Sequence, residues 1–203
     1  MRTVESTEAA KALDQFYTNP IVAKRFVDKV NELYDLSSYD HVIEPSMGEG
    51  FIYDYLPTEN RIGLDIEKNH PDCLEGDFLE WSPDKSGIEH EPLLGTFPKI
   101  AFVGNPPFGR ASTLALDFFD HCAQYGDMVS FIIPRTWMKY NIHKKIPSEF
   151  GLYWQAILPD ASFILNGKPY EVRCVAQCWS KKDPNPEIDG DGVEDWRDMS
   201  LSD

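Results

Sequence analysis

No apolar run in the chain approaches the ~20 residues that a membrane-spanning helix needs, so a helical membrane protein is excluded. The opening residues, Met1 to Ser6, lack the charged and apolar regions of a secretion signal; a soluble protein of the cytoplasm is expected. Cysteine is sparse. Cys73, Cys122, Cys174 and Cys178 form no CxxC pair, so no zinc site or other metal site is expected, and reduced thiols are. Positive charge is also short, with 19 Lys and Arg against 34 acids and a net charge of -15. That balance argues against a broad nucleic-acid-binding surface and confines any such contact to a local patch. The segment Arg135 to Lys145 offers one: Arg135, Lys139, Lys144 and Lys145, with Trp137, Tyr140 and His143 interleaved. It reads either as a solvated face or as a nucleic-acid contact. Residues 183–203 hold eight acids against one base, with two prolines and two glycines. They read as an acidic, disordered tail after a single domain spanning 1–182.

Hydrophobic residues make up 42% of the 203, enough for one substantial core. Asn19-Pro20 looks like a helix start, and Ile21, Val22, Phe26, Val27, Val30, Leu33 and Tyr34 follow at helical spacing. Short apolar strands are expected at 41–44, 61–67, 74–77, 99–104 and 128–133. A helix is expected over 111–125, and another opening from the turn at 45–50. Segments 153–158 and 170–179 then read as an antiparallel pair joined by a loop. Strands alternating with helices, closed by an antiparallel pair, predict a doubly wound, Rossmann-like α/β sheet, mostly parallel.

Acids stand at successive strand tips. Glu44 precedes Pro45-Ser46-Met47-Gly48-Glu49-Gly50, whose glycines let backbone approach a ligand closely. A dinucleotide-binding loop would carry a third glycine where Tyr53 stands. Glu44 would repel a pyrophosphate and attract a sulfonium or ammonium, so a cationic cofactor is favoured. Asp65 ends the second strand, where an acid suits ribose hydroxyls. Asp77, beside Phe78, could accept from an adenine amino group while the ring packs on the base.

The fourth strand runs into Asn105-Pro106-Pro107-Phe108. The prolines stop the ladder and stiffen the turn. An aromatic amine is a poor nucleophile because its lone pair is delocalised into the ring. The Asn105 side-chain oxygen and the Pro106 carbonyl could accept its N–H bonds and steady the positive charge that develops on it. Phe108 could stack on the base.

Together these segments resemble the N6-adenine-specific DNA methyltransferases of the gamma motif arrangement, within the class I S-adenosylmethionine-dependent enzymes. The resemblance covers about residues 13–180. Asp14 to Pro20 is similar to the family's segment that closes over the methionine part of the cofactor, which implicates Tyr17 and Thr18. Glu44 to Gly50 resembles motif I, implicating Glu44, Gly48 and Gly50. Met47 stands where the family more often has a small residue. Gly63 to Glu67 resembles motif II, with Asp65 on the ribose. Gly76 to Leu79 resembles motif III, with Asp77 and Phe78 on the adenine. Asn105-Pro106-Pro107-Phe108 matches motif IV, the catalytic NPPF signature, with Asn105 also beside the cofactor. Phe163 stands where a later aromatic packs on a flipped base. The resemblance implies S-adenosylmethionine as cofactor and a nucleic-acid substrate, DNA before RNA. Between Asn105 and Phe163 there are only core elements and the basic segment, so a specificity subunit or a homo-oligomer is an expected source of sequence recognition. Transfer to RNA amino groups or to a protein glutamine, and a non-catalytic cofactor-binding subunit, stand as alternatives.

Overall fold

Asn19 and Pro20 start the first helix. The Asn19 side chain accepts the Ile21 backbone N–H at 2.9 Å, and Pro20 sits in the first turn, where its missing N–H has no partner to lose. Helix α1 (Pro20–Tyr34) then buries Val22, Ala23, Phe26, Val27 and Val30. The structure is a computed structural model that describes residues 17–89, 98–165, 167–181 and 192–202, the Ala111 side chain apart.

In chain order the strands are β1 (Tyr17–Thr18), β2 (His41–Glu44), β3 (Arg61–Asp65), β4 (Cys73–Glu75), β5 (Ile100–Gly104) and β6 (Met128–Pro134). They continue with β7 (Gly151–Ile157), β8 (Phe163–Leu165), β9 (Lys168–Tyr170), β10 (Cys174–Ser180) and β11 (Val193–Asp195). Helix α2 (Thr113–Tyr125) joins β5 to β6, and a short α3 (Tyr140–His143) follows β6. Eight strands form one sheet in the order β11-β7-β10-β6-β5-β2-β3-β4. Strands β4, β3, β2, β5 and β6 are parallel, and β10 is antiparallel to both β6 and β7. This is the doubly wound, mostly parallel α/β fold expected from the sequence.

The period-2 alternation of the central strands divides the core. Val42, Ala101, Val103, Ile132 and Ala176 face the cluster that contains α1. Ile43, Phe102, Phe131, Ile133 and Val175 face the cluster that contains α2, with Phe118 and Phe119. The four cysteines are buried and free.

Three expectations need correction. No α-helix opens at Gly50; a single 3-10 turn, Tyr53–Tyr55, occupies the connection, because Pro57 follows too soon for an α-helix to develop. The run 170–179 is not one strand. Gly167 adopts φ +72° and folds β8 and β9 into a hairpin, so Tyr170 ends β9 and the long strand begins at Cys174. The hairpin pairs with β1, giving a second, three-stranded sheet.

The third correction concerns the acidic tail. Residues 182–191 lie outside the described residues, but β11 adds in parallel to the edge strand β7, and Trp196 is only 4% exposed. Glu194 accepts the indole N–H groups of Trp154 at 2.8 Å and Trp196 at 3.0 Å, and pairs with Lys29 at 3.2 Å. Arg25 stands 4.6 Å over the Trp196 ring. The acid that composition assigned to a solvated tail is a three-way acceptor, and the indole beside it is core. Trp196→Ala should therefore destabilise the protein by about 3 kcal/mol in denaturant unfolding. A change within ~0.5 kcal/mol, the usual range for a surface position, would return this segment to the tail.

Candidate active site

In the central sheet, β2 is flanked by β3 on one side and β5 on the other, so the direction of winding reverses between β2 and β5. Open α/β sheets leave a crevice at the carboxyl ends of the strands where that reversal occurs. A cavity of about 390 Å³ lies there, within the range of small-molecule sites. Its walls include Tyr17, Thr18, Glu44, Met47, Gly48, Asp65, Asp77, Phe78, Asn105 and Pro107. Four strand tips distant in sequence thus converge on one space.

Gly48 has φ +53°, and a Cβ there would sit 2.9 Å from the Tyr17 ring, so glycine allows both the turn and the approach of Tyr17 over the loop. Tyr17 is held in place because β1 pairs with β8, Tyr17 opposite Ile164 and Thr18 opposite Phe163. Gly50, at φ +85°, completes the same turn. Met47 is buried over Gly63; a side chain at 63 would collide with its sulfur, which explains how a bulky residue fits this loop. The Asp65 carboxylate ties the loop down, accepting the Gly48 N–H at 2.8 Å and the Glu67 N–H at 3.1 Å. Each of its oxygens keeps a lone pair for a ligand hydroxyl. Asp77 accepts the Leu79 N–H at 2.9 Å and so caps the turn at Phe78–Glu80. Phe78 is 1% exposed in an aromatic cluster with Trp81, Phe102 and Phe118, and presents only part of its ring to the cavity.

Among the described residues that line the cavity, two buried side-chain oxygens lack partners. Glu44 is 2% exposed, and its Oε2 has no hydrogen bond. Burial drives its carboxyl well above the ordinary range, with Asp65 and Asp54 adding to the shift and the Tyr53 N–H opposing it. Asn105 Oδ1 is likewise buried without a partner. The backbone carbonyl of Asn105 is fixed by the Ser46 hydroxyl at 2.8 Å, so the residue is held while its side-chain acceptor stays free for a ligand. A buried acid and a buried amide oxygen, both in the cavity wall, suit a ligand with a cationic group and an N–H donor.

Other expected residues lie elsewhere. Pro106 is not among the cavity-lining residues. Phe108 is 7% exposed and meets Phe163 edge-on, ring centres 6.3 Å apart. Phe163 is fully buried, so it cannot offer a face to a base as expected; it braces Phe108 behind the turn. The basic segment is not assembled at the cavity either. Arg135 pairs with Asp160 at 3.3 Å, and burial holds the His143 imidazole below its usual pKa. Lys139, Lys144 and Lys145 are exposed. His143 packs 5.1 Å from Trp179, which is paired with Val129 near the start of β6. Five residues of strand, about 16 Å at ~3.3 Å per residue, separate Val129 from the carboxyl end of β6. Lys144 and Lys145 therefore sit on the flank of the sheet, away from Asn105.

The cavity also has a wall that strand-tip reasoning missed. Ile66, next to Asp65, lines it and is 66% exposed. An apolar residue immediately after a strand-tip acid was the available signal. Leu79, Leu114 and Phe118 extend the apolar lining.

No protein-family model matches the chain, and no curated protein matches it. Solved structures do. A protein of Pyrococcus horikoshii provisionally classed as an RNA methyltransferase superposes with a TM-score of 0.63 at 15% identity, covering 85% of this chain and 89% of that one. A modification subunit from Vibrio vulnificus, of an enzyme provisionally classed as a type I restriction enzyme, gives 0.58 at 14% identity, covering 89% of this chain and 47% of that one. The 23S rRNA methyltransferase ErmE gives 0.53 at 15% identity, covering 80% and 68%. The chain thus spans most of the archaeal protein and about half of the restriction subunit. It is a Rossmann-like α/β protein with the architecture of these methyltransferases. Among the described residues, no helix is long and apolar enough to cross a membrane.

The Glu44 carboxyl makes a test that needs no ligand. The folded protein binds its proton more tightly than the unfolded chain does, so this group's contribution to stability is full below the ordinary value of 4.5 and is lost as pH rises through the folded pKa. Glu44→Gln removes that loss. The variant should match the parent in stability at acid pH and exceed it at neutral pH, measured by denaturant unfolding across pH. Parallel curves for the two proteins would refute the assignment.

Proposed function

We propose that the protein is an S-adenosylmethionine-dependent N-methyltransferase acting on an exocyclic amino group, N6 of adenine in DNA before other acceptors. The unpartnered, buried Oδ1 of Asn105 in the cavity wall carries this reading. When bound, S-adenosylmethionine supplies a methyl group on a positively charged sulfur, which is set up for direct displacement. Glu44 would face the cationic end of that cofactor, Asp65 the ribose hydroxyls and Asp77 the adenine amino group, with Ile66 and Phe78 against the ring. Tyr17 and Thr18, pinned by β8, would close the cavity.

On the acceptor side, Asn105 Oδ1 takes an N–H of the target amine. That hydrogen bond draws the nitrogen toward tetrahedral geometry and strengthens as positive charge develops. The Ser46 hydroxyl, holding the Asn105 carbonyl, keeps the amide in place before the acceptor arrives, so alignment is set by the fold. Pro106 and Pro107 stiffen the same turn, and Phe108, braced by Phe163, supports it from behind. An aromatic amine in a nucleic acid reaches such a recess only if its base leaves the stack.

The restriction-modification subunits among the similar structures favour DNA and a partner subunit for sequence recognition. The archaeal and rRNA enzymes keep RNA as the second reading. Incubation with labelled methyl donor and DNA, RNA or cell-extract protein, followed by nucleoside analysis, separates the acceptors. Label in N6-methyladenine from DNA is the expected result. Asn105→Ala should lower the transfer rate by a factor on the order of 10² to 10³ while calorimetry shows cofactor affinity nearly unchanged. Full activity in that variant would remove the mechanism.

A further inference from the structure

The cavity wall carries five acidic side chains, Glu44, Glu49, Asp65, Glu67 and Asp77, and no Lys, Arg or His among the described residues that line it. Glu44, Glu49, Asp65 and Asp77 make no ion pair within the described residues. Asp65 and Asp77 accept backbone N–H groups, which hold their charge in place without neutralising it. Glu44 adds a buried oxygen with no partner. Around the Tyr17 phenol the field is concentrated: burial raises its pKa, and Glu49, Asp65 and Glu67 raise it further. A wall of one sign with apolar surfaces behind it focuses its potential into the cavity.

We infer that this wall discriminates by charge between the two forms of the methyl donor, holding the sulfonium form and releasing the neutral thioether product, S-adenosylhomocysteine. The inference rests on the function proposed above and deepens it. In the transfer, the bond between methyl carbon and sulfur breaks and its electron pair stays on sulfur. The positive charge leaves with the methyl group, appears on the acceptor nitrogen and is shed to solvent as a proton. The product therefore differs from the substrate by one methyl group and one positive charge. Shape changes little, whereas attraction to the acidic wall falls. Glu49 and Glu67, exposed at the rim and outside the acceptor turn, are assigned as the residues that set this preference together with the deeper acids.

The test is calorimetric and needs no turnover. Three probes are titrated: S-adenosylmethionine, S-adenosylhomocysteine, and the amine analogue that carries a protonated amine in place of the sulfonium. At low salt the two cations should each bind about tenfold more tightly than the thioether. The gap should close at 1 M salt, where the screening length is only ~3 Å. Glu49→Gln should narrow it and Glu49→Gln with Glu67→Gln narrow it further, with the thioether's own affinity little changed. Circular dichroism checks that both variants are folded. If the thioether binds as tightly as the cations, or the double variant keeps the full gap, the inference falls and the methyl-donor reading stands. If none of the three binds, both fall.

Discussion

The close approach of the β2 and β5 tips is the constraint on which the site depends. A Cβ at Gly104 would lie 3.1 Å from Pro45 Cδ and 3.4 Å from Glu44 Cγ, so only a residue without a side chain lets the two turns meet without displacement. That approach puts the Ser46 hydroxyl on the Asn105 carbonyl, 59 positions away in sequence. Through this one hydrogen bond the glycine loop and the proline turn become a single unit. It adds to what each turn has already: the first, with two residues at positive φ, is tied by Asp65, and the second is stiffened by its prolines.

A rigid junction allows polar atoms to be buried without partners. Glu44 Oε2 and Asn105 Oδ1 each carry a desolvation cost of the order of 1–3 kcal/mol that the apo protein does not recover. Surrounding packing sustains it. Both sheet faces are covered, by α1 on one side and by α2 with its phenylalanines on the other, and β11 with Trp196 seals the far edge. Stability gathered along the sheet is spent at one point where two strands diverge in winding. This is the usual distribution when a scaffold is locally consistent everywhere except where it binds.

The amino-acid sequence reveals what depends on local pattern. Strand tips, the Asn19 cap and the α2 register follow from spacing, turn chemistry and period, so Glu44, Asp65, Asp77 and Asn105 could be named in advance as one set. What it conceals depends on distant partners. Phe108 and Phe163 look like two rings available to a base; only the tertiary contact between them shows that one is spent on bracing the other. The lysines after β6 look like a patch beside the proline turn because they are near it in the chain, yet α3 carries them down the flank. Glu194 and Trp196 look like tail because composition averages over the window, and a three-residue strand with one indole is too short to register in it.

The same distinction governs the electrostatics. Counting charges along the chain gives an excess of acid that argues against a broad nucleic-acid-binding surface. It says nothing about where the acids point. Five of them converge on one cavity because β2, β3 and β4 are parallel neighbours whose carboxyl ends share an edge, so an acid at each tip, or just beyond it, faces the same space. Convergence turns a diffuse excess of acid into a field directed at one cavity. A ligand that enters as a cation and leaves without its charge would move down that field on the way in and meet none on the way out. The proline turn stands at the edge of that field, after the neighbouring strand β5, and its unpartnered atom in the wall is the uncharged amide oxygen of Asn105. On the function proposed above, cofactor and acceptor would be separated by chemistry as well as by position: acids for the positive partner, a neutral amide oxygen for the amine whose lone pair must stay free to react.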